Sequence, residues 1–184
     1  PYARVTQRLA GVGDDVAGVE AFSHCVCRRT GEGVVGVAAG GVRHGTGVVA
    51  ALRSWSDQPS HSLVYTHGHL DHVGGSGAFL ADAADRGHGR PRFLAHEALP
   101  ARFERYRTTN DWNLIINRRQ FGGIRNRQDL GIAGNGPRFL PDDVADPDEV
   151  FRDRMSFEVG GRTIQLRHAR GETDDHAWGW EAER

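Results

Sequence analysis

The spacing of apolar positions changes several times along the chain, and each change marks an element. Residues 16–29 and 33–39 carry apolar side chains at strand spacing on either side of Thr30-Gly31-Glu32-Gly33, which predicts two strands around a turn. Over 45–55 the period lengthens. Val48, Val49, Leu52 and Trp55 fall on one stripe, as in an amphipathic helix. Residues 62–66, Ser-Leu-Val-Tyr-Thr, read as a short strand of the buried type. A Gly- and His-rich loop follows, and 76–86 returns to helical spacing with Ala78, Leu80 and Ala84 as packing positions. Residues 92–95 predict another strand and 97–106 a helix.

The pattern then weakens. Residues 108–127 mix aromatics, Asn and Arg and end in Gly122-Gly123, and 131–148, rich in Gly, Pro and Asp, read as a long loop. It recovers at 155–159 and 163–168, which flank Gly160-Gly161, a strong hairpin signal, and a further strand begins over 177–180. Strands alternating with helices, then a late hairpin, give an α/β layered domain, read as a single domain over 1–184. There is no internal repeat.

Composition narrows the partners. The chain has 184 residues, enough for one sizeable core, and 25 glycines, which imply turns and closely packed loops. Its basic residues are all Arg, and the net charge of −1 offers no broad attraction to nucleic acid or to a membrane surface. No apolar run approaches the roughly 18 residues of a membrane span. Neither nucleic acid nor membrane is therefore an expected partner, and a cytoplasmic location is the default. Export stays open, because the chain starts at Pro1 without Met, ends in a charged run, and reads as a piece of a longer protein. Cys25 and Cys27, at i and i+2 on one strand face, read as packed thiols, with zinc binding as the alternative.

The chemistry concentrates in Thr66-His67-Gly68-His69-Leu70-Asp71-His72-Val73-Gly74-Gly75. Three histidines and a carboxylate follow a buried strand, and imidazole with carboxylate suits zinc and similar metals. A near-extended backbone would put His67, His69 and Asp71 on one side and turn His72 elsewhere. The loop could then serve two neighbouring metals, with Gly74-Gly75 allowing close approach before the next helix.

His-x-His-x-Asp-His after a buried strand resembles the signature of the metallo-β-lactamase superfamily. The resemblance implies a zinc site with His67 and His69 on the first metal, and Asp71 and His72 on the second. It also implies that Asp71 takes part in catalysis. A second stretch, His168-Ala169-Arg170-Gly171-Glu172-Thr173-Asp174-Asp175-His176, stands where the superfamily usually has Gly-His-Thr. Glu172 replaces that His, as in alkyl-sulfatase-like members, and is expected to complete the first metal. His168 and His176 are fallback ligands, and Asp174 and Asp175 are expected to cap or support. A third stretch, 110–122, looks like the segment that alkyl-sulfatase-like enzymes lay over the site. Asn113, Arg118 and Arg119 would bind a sulfate or phosphate ester there, since Arg forks suit tetrahedral anions. The competing reading is a surface helix with solvated Arg. Trp112 and Phe121 are expected to pack, or to line an apolar substrate tail.

The chain departs from the family pattern in two ways. The Val-Asp-Thr-Gly-like run that ends the second strand, whose Asp orients the metal loop, corresponds here to Val34-Val35-Gly36-Val37-Ala38-Ala39-Gly40, with no carboxylate. The bridging acid and last His expected beyond the Glu172 motif would lie past Arg184. An αββα sandwich is therefore expected to be incomplete, with its N-terminal half and only the start of the second. The second metal would be weakly held, and a second copy of the chain could cover the open sheet. The implied activity is hydrolysis of a small ester-like molecule (sulfate ester, carboxylic ester or thioester) by zinc-activated hydroxide, with one or two zinc ions or another divalent metal. A β-lactamase proper fits less well, because Glu172 replaces the usual His, and the charge argues against a nuclease. The alternative is a silent fold relic that binds a metal or a partner.

Overall fold

The computed structural model describes residues 6–121 and 138–181. Strands β1 (Leu9–Gly13), β2 (Val16–Val19), β3 (Cys25–Arg29) and β4 (Val34–Val37) come first, then helix α1 (Gly45–Trp55) and strand β5 (Ser60–Val64). The one-turn helix α2 (Leu70–Val73) and α3 (Ser76–Asp85) lead to β6 (Arg92–His96). Helices α4 (Leu99–Thr108) and α5 (Asn110–Phe121) precede β7 (Glu149–Phe151). Strands β8 (Arg154–Val159), β9 (Arg162–His168) and β10 (Ala177–Glu181) follow. β1 to β7 form one sheet in chain order, antiparallel from β1 to β4 and parallel from β4 to β7. β8 to β10 form a second, antiparallel sheet.

Neighbouring residues on the central strands point to opposite faces, so each strand feeds two cores. Val34, Leu63 and Phe93 pack with the helices, alongside Val48, Leu52, Phe79 and Phe103. Val35, Val64 and Leu94 pack with Phe157, Val159, Ile164 and Leu166 of the second sheet. Burial on both faces explains why Val34-Val35 on β4, Leu63-Val64 on β5 and Phe93-Leu94-Ala95 on β6 are consecutive apolar residues. The layers are helices, first sheet and second sheet. On β10, Trp178 and Trp180 are exposed. Glu181 accepts two hydrogen bonds from Arg28 and one from Arg162, tying the sheets together. No helix among the described residues is long and apolar enough to cross a membrane.

Several elements differ from the sequence expectation. The strand expected over 16–29 is two strands paired as a hairpin, broken at 20–24, where the His24 ring contacts the backbone of Ala21. β1 was not expected, because almost all of it is exposed and it shows no alternation. β5 runs over 60–64 instead of 62–66. Helix α3 buries Ser76, Gly77, Phe79 and Ala83, while Ala78 and Leu80 sit at the core's edge and Ala84 is exposed. The face is rotated because Gly77 lies against Asp143, where a Cβ would meet Oδ2 at 2.2 Å. β7 (Glu149–Phe151), directly after the expected loop over 131–148, was not expected. Residues 122–137, which include Gly122-Gly123 and much of the expected loop, lie outside the described residues. The Gly160-Gly161 hairpin forms as expected, with φ of +55° and +75°, values that suit glycine in a two-residue turn.

Candidate metal centre

The metal loop leaves the carboxyl end of β5, where open α/β sheets place their ligand sites. His69 is extended, at φ −72° and ψ 143°, and caps α2. The helix begins at Leu70, so Asp71 does not continue the extended line that the spacing suggested. Bonds from Val73 N to His69 O (3.2 Å) and from Gly74 N to Leu70 O (2.8 Å) wind Asp71 and His72 onto a helical turn. The loop is strapped to the segment after β4 by Ala39 N to His72 O (2.6 Å) and Gly75 N to Gly40 O (2.9 Å). Gly75 is required there, since a Cβ would stand 2.1 Å from Ala39 O.

Glu172 arrives from the other sheet, in the turn between β9 and β10. Ligand atoms of His67, His69 and Glu172 lie within 4.8 Å of one another. His67 Nε2 is 3.4 Å from one Glu172 oxygen, and His69 Nδ1 is 3.7 Å from the other. Two donors on one tetrahedral zinc stand about 3.3–3.6 Å apart, given metal–ligand bonds of about 2.0–2.2 Å. His67 is 1% exposed, and its Nε2 is buried without a hydrogen-bond partner among the described residues. An unpartnered buried nitrogen beside a carboxylate and a second imidazole suits a bound cation, so the residues fit zinc.

The protonation states agree. Burial, then the neighbouring His72, His69 and His176, push His67 down to about 3. Burial also lowers His72, although Asp71 pulls the other way. Both rings are therefore neutral near pH 7, the form that binds metal. The Thr66 hydroxyl lies 3.2 Å from His67 Nδ1 and 3.1 Å from His72 Nδ1, which occupies those nitrogens and leaves the Nε2 atoms for other partners.

Asp71 and His72 sit beside this cluster, with Oδ2 to Nε2 at 3.6 Å. Ser23 Oγ, on the turn between β2 and β3, donates to Asp71 Oδ2. Ala38, in the run after β4 that carries no carboxylate, takes a positive φ of 60°. Support comes instead from Ser23 and from Asp175, which accepts from Gly68 N at 2.8 Å. Burial works against the charge on Asp175, but Thr173, Arg102 and Gly68 outweigh it and hold the carboxyl below its ordinary value. Of the fallback ligands, His176 packs on His67 (4.7 Å between rings) and accepts from Glu172 N at 3.3 Å. His168 stacks on His96 and bonds Asp174 O.

A cavity of about 760 Å³ opens from His69, Asp71 and Glu172. Phe22, Val42 and Phe121 give it apolar lining, and Asn113, Asn117 and Gln120 of α5 add amides. Arg43 and His44 also line it. Asn113 is thus brought to the cavity, while Arg118 and Arg119 are not among its lining residues. Trp112, expected to pack, is 60% exposed. Ser23, Arg43 and Arg102 were not singled out from the sequence. Each is one polar residue remote from the motifs, with no local pattern to mark it.

A family model described as the Metallo-beta-lactamase superfamily matches residues 36–184. The chain is 29% identical over 136 residues to a linear primary-alkylsulfatase of Pseudomonas sp. (strain ATCC 19151), a match covering 70% of this chain and 25% of that protein. Among solved structures it resembles a metallo-beta-lactamase with a HARLDQ motif from Cronobacter sakazakii, at 17% identity and a TM-score of 0.66, covering 96% of this chain and 57% of that one. It also resembles a double mutant of the sec-alkyl sulfatase PisA1, at 18% identity and a TM-score of 0.64, covering 95% of this chain and 29% of that one. At such identities the structural likeness concerns the fold, which is the expected one. The chain spans a quarter of the alkylsulfatase's length and 57% of the Cronobacter structure's.

Proposed function

The chain belongs to the metallo-beta-lactamase superfamily, and on that premise we propose that it is a metal-dependent hydrolase of small ester-like molecules, with anionic sulfate esters first. The observation that carries this reading is the convergence of His67, His69 and Glu172 at the edge of a partly apolar cavity. In this reading these three hold a first metal, zinc by the chemistry of the donors, and Asp71 with His72 contributes to a second. When bound, the metal supplies Lewis acidity and an activated water at neutral pH. Asp71, steadied by Ser23, lines the cavity and is placed to orient the nucleophile or take its proton. Asn113, Asn117 and Gln120 offer amide donors to the oxygens of an anionic group. Arg43, which has no carboxylate partner among the described residues, supplies the balancing charge in place of Arg118 or Arg119. Phe22, Val42 and Phe121 receive an apolar chain.

The resemblance to an alkylsulfatase puts the sulfate ester ahead of the carboxylic ester and thioester. The test combines elemental analysis of wild type and His69→Ala with turnover of a straight-chain alkyl sulfate, a carboxylic ester and a thioester. Zinc in wild type, lost in the variant, with metal-dependent sulfate release and a raised KM in Asn113→Ala, is the expected result. A second reading, a silent metal-binding or partner-binding module, rests on the second metal having only Asp71 and His72 among the described residues. Bound zinc without turnover of any of the three substrates would favour it. No bound metal in wild type would overturn the hydrolase reading.

A further inference from the structure

Behind the metal loop lies a buried ion pair that the proposed chemistry does not use. Asp175 is fully buried. Its Oδ2 accepts from Gly68 N at 2.8 Å, and its Oδ1 is 3.2 Å from Arg102 Nε. Arg102, on α4 and with its side chain 11% exposed, also reaches the neighbouring Asp174. The connectivity gives these contacts their meaning. Gly68 lies between His67 and His69, and Asp175 lies three residues after Glu172. A single carboxylate therefore joins the loop that carries two proposed ligands to the turn that carries the third. Arg102 braces that carboxylate from a separate helix. Space is fully used at this point: a Cβ on Gly68 would meet Arg102 Cδ at 2.6 Å and Asp175 Oδ2 at 3.0 Å.

We propose that Asp175, braced by Arg102, is a positioning residue that sets the distance between the His67–His69 pair and Glu172, and so sets metal affinity. The proposal rests on the metal-site reading above. A buried ion pair is a poor source of stability, since a well-packed apolar replacement often does as well. A carboxylate bonded to the backbone between two metal ligands fixes their orientation, and loss of such a support typically weakens metal binding about 10–100-fold. Removing one partner alone strands the other's charge and lowers stability, so the positioning role is read from zinc affinity and ligand geometry.

The test measures zinc affinity by chelator competition and the melting temperature of the metal-free protein, for wild type, Asp175→Asn, Arg102→Met and Arg102→Lys. The cobalt(II) absorption spectrum of each serves as a second readout of ligand geometry. The expected result is zinc affinity weakened about 10–100-fold in Asp175→Asn and Arg102→Met. It should come with a changed cobalt spectrum and with partial recovery of affinity and spectrum in Arg102→Lys, while metal-free melting falls in Arg102→Met, which strands the buried Asp175 charge. If Asp175→Asn does not fold, the two Arg102 variants still decide the matter. Wild-type zinc affinity and cobalt spectrum in variants that melt early would overturn the proposal and leave a purely structural pair. Wild type that binds zinc, loses it in His69→Ala and keeps it unchanged in every clamp variant would overturn the positioning role while sparing the metal-site reading. Wild type that binds no zinc overturns both.

Discussion

Zinc should raise the melting temperature of this protein, and His69→Ala should abolish the rise. The donors of His67, His69 and Glu172 already stand within 4.8 Å of one another, so little binding energy is spent on gathering them. At a zinc concentration about a hundredfold above Kd, linkage stabilises the folded state by about 2.7 kcal/mol. For a chain of this size each kcal/mol is about 2–4 °C, so the expected rise is about 5–11 °C. Zinc binding to the unfolded chain, where His67, His69 and His72 stay close in sequence, would reduce it. Glu172 is brought in only by folding, so the folded site keeps the advantage. His69 is 34% exposed at its side chain, so its removal should change metal-free stability little. The assay is thermal unfolding followed by circular dichroism, with chelator, with excess zinc, and with chelator added back, for wild type, His69→Ala and Glu172→Ala. An equal zinc-induced rise in Glu172→Ala would refute the reasoning, because it would mean that the histidine loop alone binds the metal.

Three further outcomes follow from other parts of the molecule. Arg53 makes three contacts with the Asp82 carboxylate, at 2.6–3.1 Å, and both side chains are at most 10% exposed. Arg53→Met leaves Asp82 with Arg86 alone and should cost about 3–5 kcal/mol, or about 6–20 °C of melting temperature, whereas the double variant Arg53→Met/Asp82→Leu should recover much of it. Glu181 is held below its ordinary value: burial opposes this, but hydrogen bonds from Arg28 and Arg162 outweigh it. A lowered carboxyl stabilises the folded state above its unfolded value, about 4.3, and the benefit fades as pH falls through the folded value. The melting gap between wild type and Glu181→Gln should therefore be full at pH 6 and close progressively below about pH 4. Gly75→Ala sets a Cβ against the backbone of Ala39 and Gly45 and should lower both thermal stability and zinc binding; a wild-type melt would show that the straps between loop and sheet yield.

How much could be read from the sequence depended on how local each signal was. α1 and the β8–β9 hairpin were legible because their apolar period or turn glycines lie within a dozen residues. The histidine loop was legible for the same reason. Its backbone was not, because the change from extended to helical at Leu70 depends on hydrogen bonds to the residues after β4. The edge strand β1 was invisible, since exposure on nearly all its length removes the alternation that marks a strand. The facing of α3 was misjudged because Gly77 and Ser76, not larger side chains, make its closest contacts with 138–146. Ser23 and Arg102 were beyond reach for another reason. Ser23 lies 48 positions before Asp71, and Arg102 lies more than 70 before the acids it holds. Only tertiary folding makes either of them part of the site.

The centre is divided between the two sheets, and this decides what keeps it intact. His67 to His72 hang from β5, while Glu172 and Asp175 hang from the turn between β9 and β10. The bond from Ala177 N to Thr66 O, at 2.6 Å, pins the second sheet to the first at the metal loop, and the Arg28–Glu181–Arg162 cluster ties the sheets again further along β10. Between these ties lies the core of Val35, Val64 and Leu94 against Phe157, Ile164 and Leu166. Metal–ligand distances tolerate only about 0.2 Å of error, much less than the slide that a repacked sheet interface would allow. The apolar core between the sheets is therefore part of the metal centre's geometry: it sets where Glu172 stands relative to His67, and Asp175 refines that setting from within.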